Sequence, residues 1–329
     1  MGKRKKRMQI IQYIFYTILV AFIMVYIIKN KDDFKILFSL SPLQIILLLS
    51  LSLLSPIFGT QYRKYAAKEL NITLDLVDWL GIASISNLIS LFVPFRSDLL
   101  ISARYYKKKC NLSYGKFLSI TAGGVVIQML MVSVELILAL LFVGIIYSYW
   151  SPILLIFGFS ILICCVIFIY ILKKYGIKII KKLPMQKYVL LIGEGFITLL
   201  GSPRLLRNSF FLELGNQLIH ALKFYFVLQF FGLEISLVLA LIYSSVNILS
   251  DVFMLTPGNL GIKEVIIGAI SSLMGNRFSI GVGITIVMRI LSLIVYLIYS
   301  SIFALPVYRR IKNQNDDNNG DEDEQHNGC

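Results

Sequence analysis

Charged and helix-breaking residues inside apolar stretches are the residues of this chain that could do chemistry. The stretch TPGNLGIKEV brings five of them together: Pro257, Gly258, Gly261, Lys263 and Glu264. Proline and glycine interrupt a helix, and a charge at bilayer depth costs at least about 2.5–3.5 kcal/mol on insertion scales. Only a cavity lined by protein tolerates such groups inside a membrane. The stretch therefore predicts a broken helix beside a polar site.

Further candidates lie in other apolar segments. Arg96 and Asp98 follow Pro94 in the stretch PFRSD, and Arg289 lies inside the last apolar segment. One helical face, with positions three, four, seven and ten residues after the first, carries Glu213, Asn216, Gln217, His220 and Lys223. Such a polar stripe must face a wet cavity or other protein. We predict a substrate site formed by Arg96, Asp98, Glu213, His220, Pro257, Gly258, Gly261, Glu264 and Arg289.

The chemistry of this site favours an anionic ligand. Guanidinium groups such as those of Arg96 and Arg289 hold phosphate through bidentate hydrogen bonds, and helix amides freed at each break add partial positive charge. Glu264 could take up or release a proton there. The alternative is structural: Glu264 and Arg289 form an internal ion pair that locks two parts of the molecule together. Lys263 could simply extend toward water, and His220 could be a packing residue.

Metal and catalytic motifs are absent from the sequence. The four cysteines have no metal-ligand or disulfide spacing, and the only histidines are His220 and His326. We therefore expect no metal, no cofactor and no enzymatic activity. A membrane-embedded transferase acting on a lipid-linked substrate, with carboxylates such as Asp251 and Glu264, stays open as an alternative.

The composition indicates an all-α, polytopic membrane protein. Hydrophobic residues make up 57% of the 329 positions, and mean hydropathy is +0.78, which is far above soluble domains. A helix needs about 20 apolar residues to cross a bilayer. Segments long enough to do so are 8–28, 36–58, 117–147, 152–172, 209–231, 236–256 and 278–305.

The formal net charge of +14 does not indicate nucleic acid, because the cations cluster between apolar segments. Under the positive-inside rule both termini are cytosolic, and the basic linker 173–208 faces anionic lipids at the cytosolic surface. Residues 79–95 then cannot cross, since a basic block follows them, so 79–109 is predicted to be a re-entrant hairpin that turns near Pro94. Residues 236–277 either cross fully and return, or form a second broken pair, which we favour.

The two halves, about 36–147 and 209–305, then resemble each other in inverted orientation, with Asn87 and Asn247 ahead of the two breaks. An inverted repeat with two broken or re-entrant helix pairs is typical of proteins whose transport site lies at the membrane midplane. We assign residues 1–312 to this transmembrane domain. The acidic tail 313–329 is predicted to be disordered.

Several motifs resemble a known family. PGNLGIKE is similar to the P-G-G-x-G-x-x-E signature of the flippase-like family that includes the transmembrane region of bacterial lysylphosphatidylglycerol synthases, with Asn259 in place of the second glycine. PFRSDLL and the basic stretch after it resemble the first-half P-x-R segment, and VMRILSLIVYLI resembles the arginine-bearing last helix. The resemblance covers most of residues 10–310. The first half lacks the usual glycine, and the Glu-Arg pattern of the helix after it is not recognisable.

The resemblance implies movement of a lipid between leaflets. No aminoacyl-transferase domain follows the transmembrane region, so the synthase activity of fused relatives is not expected. We predict a plasma-membrane protein that translocates an anionic or polyprenyl-linked lipid. A further alternative is a non-transporting partner of an envelope-synthesis enzyme, and a homodimer is a candidate assembly.

Overall fold

The computed structural model describes residues 40–148, 150–180 and 196–326, and these ranges form helices without strands. The predicted span 8–28 and part of the linker 173–208 lie outside the described residues. The helices are α1 Pro42–Glu69, α2 Ile82–Ser90, α3 Ser97–Cys110, α4 Tyr114–Tyr147, α5 Pro152–Ile180, α6 Pro203–Phe230, α7 Leu237–Ser250, α8 Ile262–Leu273 and α9 Phe278–His326.

Serine caps begin helices in both halves of the chain. Ser41 and Ser202 each accept a hydrogen bond from a backbone amide in the first turn, and each is followed by a proline at the start of the helix. Ser113 caps α4 and Ser236 caps α7 in the same way. A side-chain oxygen at this position satisfies an amide that has no partner within the helix, so these serines fix where the helices begin.

Within the described residues, four helical segments are long and apolar enough to cross a membrane: Pro42–Glu69, Tyr114–Ile146, Pro152–Ile171 and Phe278–Arg310. They contain most of the spans predicted at 36–58, 117–147, 152–172 and 278–305. Helix α6 has the same length as α1, 28 residues, and covers nearly all of the predicted span 209–231. Its polar stripe makes it less apolar than the four segments above.

Two pairs of short helices form the predicted hairpins. A π-helical turn, Val77–Gly81, leads into α2, and the chain turns at residues 91–96 before α3 packs back against α2. In the second pair α7 ends at Ser250, two 3₁₀ turns follow, and α8 begins at Ile262. The hairpin predicted at 79–109 and the broken pair favoured for 236–277 are confirmed as helix pairs. A continuous helix over 236–256 is wrong, because the chain leaves the α-helical path after Ser250.

The two halves have the same order of elements. Helices α1 and α6 both span 28 residues, and each is followed by a hairpin whose first arm covers 14 residues, at 77–90 and Leu237–Ser250. Each hairpin packs against the long last helix of the other half: α2 lies on α9, and α7 lies on α4. Helix α1 packs along α6. This arrangement confirms a repeat with two broken helix pairs. Its inverted orientation across the membrane stays a prediction.

Helix α9 continues through the acidic tail to His326. The sequence predicts disorder from residue 313. The segment after Pro306 contains no further proline that would end the helix.

Candidate functional site

A cavity of about 330 Å³ lies where the two hairpin tips meet helices α1, α6 and α9. Its lining includes many polar and charged side chains. The charged side chains and histidine that line it are Arg63, Arg96, Asp98, His220, Lys223, Asp251, Lys263 and Arg289. A smaller cavity of about 160 Å³ adjoins it and shares Arg63, Arg96 and Gln128 as lining residues. Both hairpins therefore contribute to one polar space.

The tip of the second hairpin is shaped by residues with left-handed backbone. Gly258, Asn259 and Gly261 have φ values of 52°, 60° and 83°. The side-chain amide of Asn259 donates to the Ser250 carbonyl at 2.7 Å, which ties the tip back to the end of α7. Asn is one of the few residues that adopts this backbone region readily, so the departure from the Gly-Gly signature at Asn259 keeps the conformation. Pro257 begins the 3₁₀ turn.

Glu264 and Arg289 form the ion pair that the structural alternative predicts. One carboxylate oxygen of Glu264 accepts from the Gly261 amide at 2.7 Å and so caps α8, while the other accepts from Arg289 Nη2 at 2.7 Å. Arg289 Nη1 also donates to the Gly258 carbonyl at 2.7 Å. The signature residues thus build one closed network between the tip, α8 and α9. Arg289 keeps 22% of its side chain exposed and lines the cavity.

Arg96 holds the tip of the first hairpin against the second. Phe95 and Arg96 both have left-handed backbone, which costs energy in residues other than glycine and marks a constrained tip. Arg96 lies 3.4 Å from Asp98 and donates to the Asp251 carbonyl at 3.4 Å. In the part of the chain that the structure describes, Arg96 Nε and Asp98 Oδ1 have no hydrogen-bond partner. These contacts are long, so Arg96 is held more loosely than Arg289.

Asp251 and Lys263 form a third ion pair at the cavity, with Nζ and Oδ1 2.7 Å apart. The pair joins the end of α7 to the start of α8. Its Asp251 side chain is 42% exposed, so the pair is more accessible than Glu264 with Arg289.

The stripe on α6 faces polar space, as predicted. Asn216, His220 and Lys223 line the main cavity, and Glu213 lines the smaller one. Glu213 accepts from Gln128 at 3.3 Å and from Gln217 at 3.1 Å. His220 Nε2 is 3.0 Å from Ser55 Oγ, which joins α6 to α1 and supports the packing role considered for this histidine.

The sequence did not indicate an acidic clamp on Arg310, at the end of the apolar part of α9. Arg310 contacts both carboxylates of Asp75 and Asp78 at 2.6–2.8 Å, and Tyr105 donates to Asp78 at 2.8 Å. The hydrogen bonds from Arg310 lower the pKa of Asp75 to about 2. The clamp fixes α9 to the start of the first hairpin. Asp75 and Asp78 are three residues apart, and this spacing is the sequence feature that could have indicated a shared cation.

The described residues contain no group of three or more His, Cys, Asp or Glu side chains placed to hold a metal ion. The candidate site is thus a set of cations, amides and hydroxyls, with three of the cations paired to carboxylates. Such a set can bind an anion and orient it, and the cavity can exclude lipid tails while admitting a polar group.

Fold and site together define a polytopic α-helical membrane protein with a cationic cavity between two broken helix pairs. The family model of the lysylphosphatidylglycerol synthase TM region matches residues 9–300, and the chain belongs to this family. No curated protein and no solved structure shows a significant match to the chain.

Proposed function

We propose that this protein moves an anionic lipid, either a phospholipid or a polyprenyl-linked lipid, between the leaflets of the plasma membrane. The headgroup passes through the cavity while the tails stay in the bilayer. The observation that carries the proposal is the polar, cation-rich cavity at the meeting point of the two hairpin tips. Membership of a family named for a lipid-synthase transmembrane region supports a role that involves lipid.

The size and chemistry of the cavity fit a headgroup. A volume of about 330 Å³ lies within the range of sites that hold small ligands. Arg96 contacts Asp98 and Asp251 at 3.4 Å, so a phosphate can replace these contacts without breaking a short hydrogen bond. Residues with left-handed backbone conformation at the two hairpin tips leave backbone polar groups outside regular helix. Inside a membrane such groups are tolerated where protein surrounds them.

A flipping assay in proteoliposomes tests the proposal. Tail-labelled phosphatidylglycerol is followed by dithionite quenching, with phosphatidylcholine as a comparison lipid. Wild-type protein should exceed empty liposomes, and Arg96→Gln should slow flipping about tenfold or more, because a charged hydrogen bond to phosphate is lost. Arg207→Gln, on the exposed face of α6, is the matched control and should keep the wild-type rate.

A wild-type rate equal to that of empty liposomes, across phospholipid and polyprenyl phosphate substrates, would contradict translocation. Chemical alteration of the lipid in the same vesicles would favour the membrane transferase. Stable co-purification with an envelope-synthesis enzyme, without flipping, would favour the partner role.

A further inference from the structure

The cations of the cavity outnumber their carboxylate partners. Three of the cations form ion pairs: Arg96 with Asp98, Lys263 with Asp251, and Arg289 with Glu264. The two cavity-lining cations outside these pairs are Arg63 and Lys223. No carboxylate of the described residues forms an ion pair with either.

Lys223 is the more unusual of the two. Only 6% of the residue is exposed, yet it lines the cavity, and no hydrogen bond or ion pair among the described residues engages its ammonium group. The hydroxyl of Ser52 lines the same cavity and is buried without a hydrogen-bond partner among the described residues. Burial of an ammonium group without a direct hydrogen-bond or ion-pair partner is costly, and a bound anion would offset that cost.

The packing of α1 along α6 places Ser52 beside Lys223. Ser55 contacts His220, and Gly59 lies against Asn216, so the two helices run antiparallel with a regular register. One turn further along, that register brings position 52 level with position 223. The same register places Arg63 about 16 Å from Lys223 along the helix axis, because each residue adds 1.5 Å. The two cations therefore lie toward opposite ends of the cavity.

Arg63 and Lys223 lie within one residue of equivalent positions in the two repeats, because Arg63 is the 22nd residue of α1 and Lys223 is the 21st residue of α6. Asn87 and Asn247 are 160 residues apart, and Ser90 and Ser250 have the same separation. Each of these serines donates to the carbonyl of its asparagine, at 2.7 Å and 2.6 Å. Arg63 and Lys223 are also separated by 160 residues. Each half of the repeat thus supplies one cation that forms no ion pair with a described residue.

We propose that Lys223 and Arg63 are two phosphate-binding residues, one in each repeat, that hold a net anionic headgroup in turn as it crosses the cavity. The lipid nature of the ligand rests on the proposed function, whereas the two sites rest on the cavity itself. Phosphate supplies a counter-charge that can contact the Lys223 ammonium group directly, and the Ser52 hydroxyl supplies a further hydrogen bond. A headgroup with an ammonium group of its own, such as a lysyl ester, would add a cation beside Lys223 and is disfavoured.

Binding in detergent tests the two residues independently of transport. Dioctanoyl phosphatidylglycerol is titrated into purified protein, and binding is followed by isothermal titration calorimetry. Lys223→Met and Arg63→Gln should each weaken binding about tenfold or more, because a charged hydrogen bond to phosphate is lost. Arg207→Gln on α6 and Lys64→Gln on α1 are exposed cations on the same helices and should change the dissociation constant less than twofold. Lys223→Arg should restore most of the binding.

The lipid-free protein gives a second readout. Lys223→Met removes an unpaired buried charge, so its unfolding midpoint should equal or exceed that of the wild type while binding falls. A lysine that only supports the fold would lower the midpoint. A titration with inorganic phosphate then distinguishes a lipid headgroup from free phosphate as the ligand. Phosphate that binds as tightly as the lipid indicates a free-phosphate site at the same residues.

Unchanged lipid and phosphate affinity in both variants would overturn the proposal, as would tighter binding of a short-chain lysyl-phosphatidylglycerol than of phosphatidylglycerol. Loss of binding in these variants, together with a wild-type protein that binds but does not flip lipid, would support the sites and refute only translocation.

Discussion

At the scale of single residues, Glu264 joins two functions in one carboxylate. It caps α8 through the Gly261 amide and neutralises Arg289, which in turn holds the Gly258 carbonyl. Only 7% of the Glu264 side chain is exposed, so loss of its charge leaves a half-buried guanidinium without a counter-ion. The network explains why the signature requires glycines, a glutamate and an arginine in a distant helix together.

We expect Glu264→Gln to destabilise the protein by about 3 kcal/mol, because it leaves Arg289 unpaired while a glutamine can still cap α8. The double variant Glu264→Gln, Arg289→Met should be more stable than the single Glu264→Gln variant. Asp251→Asn breaks the more exposed pair and should cost less than about 1 kcal/mol. Unfolding midpoints in detergent measure all three effects, and a double variant no more stable than Glu264→Gln would contradict the coupling.

The sequence indicated Glu264, Arg289 and Arg96 because charge inside an apolar stretch is rare and has few explanations. It also offered the Glu264–Arg289 pair as an alternative, which the structure confirms. It did not indicate the clamp of Arg310 with Asp75, since 235 residues separate them and both lie near ordinary loop charges. Nor did it indicate that no described residue forms a hydrogen bond or an ion pair with Lys223, because such contacts depend on how distant helices pack.

At the scale of the elements, α8 and α9 approach so closely that glycine is required at their contact. A Cβ on Gly281 would overlap the Ile267 carbonyl oxygen and lie 2.7 Å from the Gly268 Cα, both of which are backbone atoms. Small residues let helix backbones pack at short distance in membrane proteins. This contact sets the position of α9, and hence of Arg289, relative to Glu264 on α8.

We expect Gly281→Ala to lower stability by roughly 1–3 kcal/mol, because a backbone neighbour cannot rotate away as a side chain can. Gly201→Ala is the matched control, since a Cβ there would have no neighbour within 4 Å. It should change stability by less than about 1 kcal/mol. Thermal unfolding of both variants decides the point: equal midpoints for the two would show that α8 can move away from α9.

Helix boundaries and breaks were largely predictable, because proline, glycine and serine caps act locally. The turn near Pro94 and the break at Pro257 are both confirmed. The exchange of packing between the halves, with α2 on α9 and α7 on α4, was not predictable from these local signals. Apolar helices offer many equivalent faces, and a single sequence does not show which face meets which.

At the scale of the whole molecule, the arms of both hairpins are too short to cross a bilayer. The first arms cover 14 residues each, and α3 and α8 cover 14 and 12. At 1.5 Å per residue, 14 residues reach about 21 Å, whereas the hydrocarbon core is about 30 Å thick. The short arms therefore favour hairpins that enter and leave on the same side of the membrane. In the inverted repeat that we predict, the two hairpins open toward opposite sides.

Single cysteines at the hairpin ends test this geometry in a variant without the four native cysteines. Thr73→Cys and Lys116→Cys flank the first hairpin, and Glu234→Cys and Asn276→Cys flank the second. We expect a membrane-impermeant maleimide, applied to intact cells, to label positions 234 and 276 but not 73 and 116, because positive residues near the first hairpin favour the cytosol. In inverted vesicles the pattern should reverse. If the two positions that flank one hairpin were labelled from opposite sides, that hairpin would cross the membrane. The two hairpin tips could then not enter one cavity from opposite sides of the membrane.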